Sequence, residues 1–498
     1  MRHELRIGVH AEDNGSEGWI RILQQEMLPW DSIDGPERRI ILFSGNLPSW
    51  SAEFVSRGGI AVISGAPRAD DLLGTSIAAT IHRFRPPGGD RECVMPCLAR
   101  LFRGGEGQGE CRLHENRKAR AGYLADIYPA VLSRSHGQGA FIFTGLPLAA
   151  HLSAAGDCLR NFTDVSSVSE RVASVDKADI ADTLTWMLQE AIRRLGLPYV
   201  RPARYPNAAA SVFLFRVDVD GLFGTGCRDL ALVAARHGIA GSFYFSAALC
   251  RAHPGELSPD WLAIHEIGHH ADRHDLFDTV EENRENLVKG MAWVKETLGV
   301  STTGYVAPRG LWNEALDIAM AGLGHVYSSD FALDFDSLPF LTPAGVLQIP
   351  VHPFSAERYT IHEEDAGHGP PSTQAVVAHY VAGMKRQYAL RRPVHLYGHP
   401  EVLGRMAGEV LPEIFAEVAR LELPSMTLAA FADWWLQRGK IEMALSVDEA
   451  TGRLHVETSS ASHPIEAHAW TDTTVTIGEG GRHELEAGCW SVLQSGKA

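Results

Sequence analysis

The segment HEIGHHADRHD, which begins at His265, offers two ways to hold a metal ion. His265, Glu266 and His269 fit HExxH, the helical motif of zinc metallopeptidases, in which the glutamate is the general base. Alternatively, His270 and His274 are the metal-binding pair. Both histidine pairs are spaced i, i+4, which points two imidazoles the same way if the segment is helical. The spacing therefore leaves open a peptidase and another kind of amide hydrolase.

Acidic residues and a further histidine stand where predicted strands end. The segment SVFLFRVDVDG ends a strand with Asp218 and Asp220, and HLYGHP ends another strand with His399. In a (β/α) barrel the loops after the strands line one face, so groups at strand ends meet there. Two histidines and a carboxylate suffice for a catalytic zinc site with an open position. Of two paired acids, one can bind the metal while the other serves as base.

Patterns of short apolar strands and amphipathic helices predict an α/β protein of three domains. Residues 1–200 alternate strands and helices as in an open, flavodoxin-like α/β domain, which we expect to be an accessory domain. Residues 205–440 contain about six or seven strand–helix units, which predict a (β/α) barrel. Residues 441–498 alternate as short strands with turns between them, which predicts a small antiparallel β domain.

The composition excludes several classes of function. The chain of 498 residues has 45 basic and 61 acidic residues and a net charge of −16, which argues against nucleic acid or an anionic membrane as partner. No apolar run approaches the roughly 20 residues that a transmembrane helix needs. The N-terminus lacks a secretory signal pattern, so we expect a cytoplasmic protein. Seven cysteines do not indicate a disulfide framework, and the composition is compatible with a homo-oligomer.

The barrel region resembles the NodB-like polysaccharide deacetylase family. RVDVDG at 216–221 is similar to the first family motif, TFDDG, and EIGHHADRH at 266–274 matches the second, EIGxHxxxH, in register. HLYGHP at 395–400 is similar to the fifth motif, an apolar strand that ends in histidine. VAPRG at 306–310 matches the third motif, RPPxG, only in part, because the arginine comes three places late. The resemblance covers roughly residues 205–440.

The resemblance implies a role for each matching residue. The expected metal ligands are Asp220, His270 and His274, the base is Asp218, the acid is His399, and the group that orients the base is Arg309. Zinc is the default ion, although such a site also takes cobalt, nickel, iron or manganese. We expect the site to lie in an open groove walled by four aromatic side chains, Tyr305, Trp312, Tyr327 and Phe331.

These features together predict a metal-dependent amidohydrolase. The expected substrate is an N-acylated amino sugar, with an acetyl or a formyl group, in a glycan or in a lipid- or nucleotide-linked precursor of glycan biosynthesis. A metallopeptidase is disfavoured because Asp272 and Asp275 replace the Gly and His of the extended HExxHxxGxxH form. It stays an alternative, as does a non-catalytic scaffold for glycan assembly.

The first 200 residues resemble the flavodoxin-like domain of class I glutamine amidotransferases. Those enzymes need a cysteine on a tight turn after a strand, but the corresponding turns here read SGNLP, SGAP and TGLP. The sequence therefore predicts a domain without glutaminase activity, with a structural or substrate-presenting role.

Overall fold

The chain folds into two compact units. A computed structural model describes residues 2–10, 15–65, 70–102, 106–112, 127–160, 170–222, 225–255, 257, 259–352, 371–448, 450–460, 463–468, 474–479 and 481–485. The first unit is drawn from residues 1–154, 174–203 and 438–498, and the second from residues 155–173 and 204–437.

The central sheet of the first unit has five parallel strands in the spatial order second, first, third, fourth, fifth. In chain order these strands are Ile7–His10, Trp30–Ile33, Ile40–Phe43, Ile60–Ser64 and Gly139–Thr144. This order is that of flavodoxin-like sheets. Two antiparallel strands, Val131–His136 and Glu106–Gln108, extend the sheet beyond the fifth strand.

Helices and a second sheet complete this part of the first unit. The helices are Ser16–Glu26, Ser51–Ser56, Asp70–Leu73, Leu148–Ser153 and Lys177–Arg194. The second sheet is antiparallel and contains Ser76–Arg85, Cys93–Phe102, Glu110–Arg112 and Ile127–Tyr128. Apolar side chains of both sheets share one buried cluster with the helices Ser16–Glu26, Leu148–Ser153 and Lys177–Arg194. The helices Ser51–Ser56 and Asp70–Leu73 pack with the central sheet in a second cluster.

The C-terminal strands differ from the expected separate β domain because they complete the first unit. Met443–Asp448 pairs with Arg2–Glu4, and Pro464–His468 pairs with Tyr199–Pro202. The other strands of these two sheets are Leu454–Thr458, Thr474–Glu479 and Gly481–Leu485. Inside, the Arg201 guanidinium binds the carboxylates of Glu26 and Glu466. Edge strands at both ends of the chain thus satisfy each other's backbone groups, which local patterns do not reveal.

The second unit is built on a mainly parallel sheet that forms a half-barrel. From one edge to the other the strands are Phe340–Leu341, Leu347–Gln348, Tyr327–Ser329, Gly304–Val306, Glu266–His269, Gly241–Phe245, Phe213–Val219 and Val394–Gly398, and Ser425–Met426 also pairs with Phe213–Val219. Only Phe340–Leu341 runs antiparallel. The prediction of an α/β fold is confirmed. The expected full barrel is corrected, because no pairing joins the two edge strands in the described part of the chain.

Helices cover this sheet, with Leu428–Arg438 packed on the face of Leu214, and a hairpin from residues 155–173 joins the unit. The helices are Gly226–Arg236, Ala247–Ala252, Val280–Leu298, Glu314–Gly322, Thr373–Ala389, Pro400–Met406, Val410–Arg420 and Leu428–Arg438. Short 3-10 turns lie at Pro206–Ala208, Pro259–Leu262 and Pro308–Gly310. The hairpin pairs Asp157–Arg160 with Glu170–Ala173. No helix among the described residues is long and apolar enough to cross a bilayer.

The strand Phe213–Val219 is buried along its whole length and separates two environments. Phe213, Phe215 and Val217 belong to the apolar cluster formed with the covering helices. Because side chains alternate along a strand, Arg216 and Asp218 point to the opposite, inner face of the half-barrel. The apolar residues of this alternating pattern therefore pack against the covering helices, and Arg216 and Asp218 lie on the inner face.

Candidate active site

Three parallel strands bring their polar ends to the same edge of the half-barrel. Asp220 directly follows Phe213–Val219, and His270 directly follows Glu266–His269. His399 follows Val394–Gly398, which pairs with Phe213–Val219 in parallel. Parallel neighbours end at the same edge, so residues far apart in sequence meet there.

Asp220, His270 and His274 form a compact group that could hold a metal ion. His270 Nε2 lies 3.5 Å from Asp220 Oδ1, and His274 Nε2 lies 3.4 Å from Asp220 Oδ2. One ligand atom from each residue lies within 4.8 Å of the others. The sequence thus identified three side chains that the fold brings together.

The hydrogen bonding of His270 suits a metal ligand. Its Nδ1 donates to the carbonyl oxygen of Val306 at 2.7 Å, which leaves Nε2 as the nitrogen with a free lone pair. Nε2 is buried and has no hydrogen-bond partner among the described residues. A backbone carbonyl on the second nitrogen is the usual way in which proteins orient a metal-binding histidine. Burial also lowers the pKa of His270 to about 3, so the ring is neutral and able to bind a cation.

His274 reaches the site from a loop, whereas an i, i+4 pair would suggest a helix. The strand ends at His269, and Ala271 has a φ of 62°, a left-handed conformation that turns the chain. The side chain of Asn286 holds this loop: it accepts from Arg273 N at 2.7 Å and donates to the carbonyl of Arg273 at 3.0 Å. No local pattern indicates this role of Asn286, because it depends on a helix that begins after the motif. Burial lowers the pKa of His274 to about 4, and the positive charge of Arg309 acts in the same direction.

Asp218 is buried beside the ligand group and is paired with Arg216. Arg216 Nε donates to one carboxylate oxygen at 2.7 Å, and Nη2 donates to the other at 2.6 Å. Burial acts to raise the pKa of Asp218, but the Arg216 guanidinium and the nearby His270 and His399 together outweigh it, and the net shift of the pKa is downward. The carboxyl group is therefore ionised and able to accept a proton.

His399 lies on the open side of the same group. Its Nε2 is 3.5 Å from Asp220 Oδ2, and its side chain is 22% exposed. The ring centroid of Tyr397 lies 5.9 Å from that of His399. His399 does not belong to the group of three possible ligands.

Arg309 lies outside this arrangement, which corrects the expectation that it orients the base. Its side chain is 65% exposed, and its nearest ionic partner is Asp275 at 3.7 Å. Arg309 also has a φ of 57° within the turn Pro308–Gly310. The guanidinium that contacts Asp218 comes from Arg216 instead.

Three of the four aromatic side chains that were expected to line the groove are buried core residues, namely Tyr305, Tyr327 and Phe331. Tyr305 is 1% exposed and its ring packs against His269, with centroids 5.1 Å apart. Tyr327 is also 1% exposed, and its hydroxyl contacts Tyr244 and donates to Glu266. These two cannot line an open groove, because the sheet buries them.

Phe331 is buried near Tyr397, whereas Trp312 is partly exposed and its place in the groove stays a prediction. Phe331 is 1% exposed, and its ring centroid is 6.4 Å from that of Tyr397, the neighbour of His399. Trp312 is half-buried and precedes Asn313, whose side chain accepts from Leu316 N at 2.7 Å and caps the next helix. Tyr397, which is also half-buried, is the aromatic residue nearest the site that the sequence analysis missed. Tyr397 lies two residues before His399, and side chains two apart in an extended chain point the same way, so this spacing could have indicated that Tyr397 is near the site.

The HExxH alternative fails because Glu266 and His269 lie on a strand, which His265 directly precedes, and not on a helix. His265 Nδ1 accepts from Gly241 N at 3.0 Å, and its Nε2 donates to the carbonyl of Ala231 at 2.9 Å. His269 Nε2 is 2.8 Å from His325 Nε2 in a buried pair. Glu266 accepts from Tyr244 at 3.0 Å and from Ala429 N at 2.9 Å. All three side chains make hydrogen bonds to other residues of the protein, so they do not form a zinc site.

Comparison with known proteins finds solved structures that are similar to this chain at low sequence identity. No family model matches the chain, and no curated protein matches it. A protein described as a polysaccharide deacetylase from Mycobacterium smegmatis is 18% identical, with a TM-score of 0.40, over 48% of this chain and 94% of that one.

Two further structures extend this picture. Another protein described as a polysaccharide deacetylase, from Pseudomonas aeruginosa PAO1, is 13% identical, with a TM-score of 0.39, over 47% of this chain and 94% of that one. Agd3, described as a carbohydrate deacetylase, is 8% identical, with a TM-score of 0.42, over 98% of this chain and 99% of that one. Polysaccharide deacetylases are thus among the similar structures.

Proposed function

We propose that the protein is a metal-dependent hydrolase that removes an N-acyl group from an amino sugar. The observation that carries the proposal is the meeting of Asp220, His270 and His274 within 4.8 Å, with the ionised carboxylate of Asp218 beside them. The acyl group is acetyl or formyl, and the sugar belongs to a glycan or to a lipid- or nucleotide-linked precursor. The choice of a sugar rests on the resemblance of the motifs to the NodB-like deacetylases.

Asp220, His270 and His274 would hold one divalent cation. A set of two imidazoles and one carboxylate is a usual catalytic zinc site with an open position, and it also accepts cobalt, nickel, iron or manganese. When bound, the cation supplies Lewis-acid chemistry, because it makes water more acidic and stabilises negative charge on a carbonyl oxygen. The free lone pair of His270 Nε2 is the feature that fits this ion best.

Asp218 would act as the general base. It is the ionised carboxylate next to the ligand group, and its side chain is only 4% exposed. A buried carboxylate with a fixed direction can take the proton of the attacking water. The lowered pKa keeps it ionised at neutral pH.

His399 would act as the general acid. An amine leaves an amide poorly unless it is protonated as the C–N bond breaks, so a proton donor is needed on the leaving-group side. His399 lies at the edge of the site, 3.5 Å from Asp220 and partly open to solvent. It would therefore donate a proton to the departing amine.

The test is release of acetate or formate from a panel of N-acetyl and N-formyl amino sugars. The panel includes free sugars, oligosaccharides and nucleotide-linked sugars, each incubated with zinc-loaded wild type. Asp218→Asn is the control, because it keeps the shape of the base and removes its basicity. The proposal predicts release by wild type on at least one substrate and loss in Asp218→Asn. Failure of wild type on every member, with metal bound, would contradict the proposed substrate class.

A further inference from the structure

We propose that Arg216 is the positioning residue that aims the base Asp218, the role expected of Arg309. The inference rests on the proposed function, because it assigns a partner to the base of that reaction. Arg216 lies on the same strand as the base, so this role does not require an arginine from the third family motif.

The contact with Arg216 sets the orientation of the Asp218 carboxylate and also stabilises its negative charge. Two nitrogens of one guanidinium donate to the two oxygens of one carboxylate, at 2.7 and 2.6 Å. Such a two-point contact determines the plane of the carboxylate, which a single contact does not. Both side chains are 4% exposed or less, so water does not replace the contact.

Arg216 also contacts residues on other strands than the one that carries Asp218. Its remaining nitrogen, Nη1, donates to the carbonyl oxygen of Ser329 at 2.9 Å and to Ser329 Oγ at 3.2 Å. The guanidinium carbon also lies 5.0 Å from the centroid of the Tyr397 ring. Ser329 and Tyr397 belong to two other strands of the half-barrel. The direction of the carboxylate is thus set by a rigid sheet.

The spacing R-x-D explains how the strand builds this unit. Residues two apart in a strand point to the same face, so Arg216 and Asp218 share the inner face, and Asp220 follows at the strand end. One strand therefore supplies the positioning residue, the base and a metal ligand in order.

The alternative arginine does not fit this role. Arg309 is 65% exposed and lies near Asp275. The position at which the third motif usually has arginine is Val306, whose carbonyl accepts from His270 Nδ1. In this chain the strand that usually carries the arginine orients a metal ligand instead, and the inner face of Phe213–Val219 supplies the guanidinium.

The experiment compares the two arginines. Arg216→Ala should lower kcat about 100-fold while KM changes little, because misaligning a catalytic group by about 1 Å can have an effect of this size. Arg216→Lys keeps the charge but not the two-point contact and should show an intermediate kcat. Added methylguanidine should restore part of the kcat of Arg216→Ala. Arg309→Ala is the matched control and should keep the wild-type kcat.

A double variant separates positioning from general damage. In Asp218→Asn the base is already lost, so adding Arg216→Ala should cause little further loss of kcat, and methylguanidine should have no effect. Bound zinc and the thermal midpoint are measured for every variant. Equal loss of kcat in Arg309→Ala, or additive losses in the double variant, would overturn the proposal.

A readout without turnover distinguishes this proposal from the proposed function. If wild type hydrolyses no substrate, the proposed function fails, and crystal structures of zinc-loaded wild type, Arg216→Lys and Arg216→Ala then test the positioning. We expect the Asp218 side chain to adopt another rotamer in Arg216→Ala. An unchanged rotamer would overturn the proposal even if the enzyme is active. Should Arg216→Ala not fold, Arg216→Lys is compared in the same two ways.

Discussion

His270 Nε2 lies 3.5 Å from the carboxylate of Asp220, while the other nitrogen of the same ring donates to Val306. The strands that precede these two residues are separated in the sheet by one further strand, Gly241–Phe245. The contact therefore exists only when the sheet is formed, and it joins the two halves of the candidate metal site.

Metal content should depend on His270 and not on His265. We predict that zinc-reconstituted wild type and His265→Gln each hold about one ion per chain and that His270→Gln holds much less, because a lost ligand typically weakens binding strongly. Glutamine at position 265 can keep hydrogen bonds to Gly241 and Ala231, so the two variants are matched. Elemental analysis after dialysis measures the ion. The opposite pattern, with metal lost in His265→Gln alone, would favour HExxH.

Glu266 should contribute to stability and not to turnover. Its carboxylate accepts from Tyr244 and Ala429, so Glu266→Gln places an amide N–H against a donor and should lower the free energy of unfolding by about 1–3 kcal/mol. Urea unfolding followed by fluorescence measures the change. Glu285→Gln, on an exposed helix face, is the control and should change little. A peptidase would instead lose activity in Glu266→Gln with unchanged stability.

Loss of His399 should affect poor leaving groups most. We predict that His399→Gln lowers kcat on an N-acetyl amino sugar by about 10² to 10⁴, the usual contribution of a general acid. On an aryl acetate the decrease should be much smaller, because a phenolate leaves without a proton. Exposed His237→Gln serves as control. Equal decreases on amide and ester would contradict the role of acid, and loss of bound zinc would make His399 a ligand.

The buried pair His269 and His325 should make the protein sensitive to acid. His325 Nδ1 donates to the carbonyl of Met320, so its Nε2 accepts from His269 and both rings are neutral. Burial lowers the pKa of His325 from 6.5 to about 4. Between these values the unfolded chain binds the extra proton, so stability is complete above pH 6.5 and decreases as the pH falls towards 4.

The variant His325→Gln measures this contribution. Its unfolding free energy should depend less steeply on pH between 6.5 and 4 than that of wild type, by up to about 1.4 kcal/mol per pH unit. Urea unfolding at several pH values gives both slopes, with exposed His237→Gln again as control. Identical slopes in His325→Gln and wild type would show that the ring is not buried in its neutral form.

The sequence predicted the polar strand ends well because they depend on local order. An apolar strand followed by Asp218 and Asp220, and histidines at fixed spacing, specify a site once parallel strands are assumed. Arg216 was in view in the same motif, and alternation along the strand could have assigned it to the face of Asp218. The role was instead assigned to Arg309, the arginine of the partly matching third motif.

Other features depended on packing that short patterns do not contain. Tyr305 and Tyr327 were expected at the surface of a groove. They lie on short strands, whose sequences do not show which face is buried by the rest of the fold. The pairing of Met443–Asp448 with Arg2–Glu4 joins opposite ends of the chain. Both errors have the same origin, since burial and long-range strand pairing are properties of the complete fold.

A crystal structure of the zinc-loaded protein, with anomalous data at the zinc edge, tests the central claim most directly. We predict one strong peak bounded by Asp220, His270 and His274, with ligand distances of about 2.0–2.2 Å. A peak between His265 and His269, or none near Asp220 in fully loaded protein, would contradict the account.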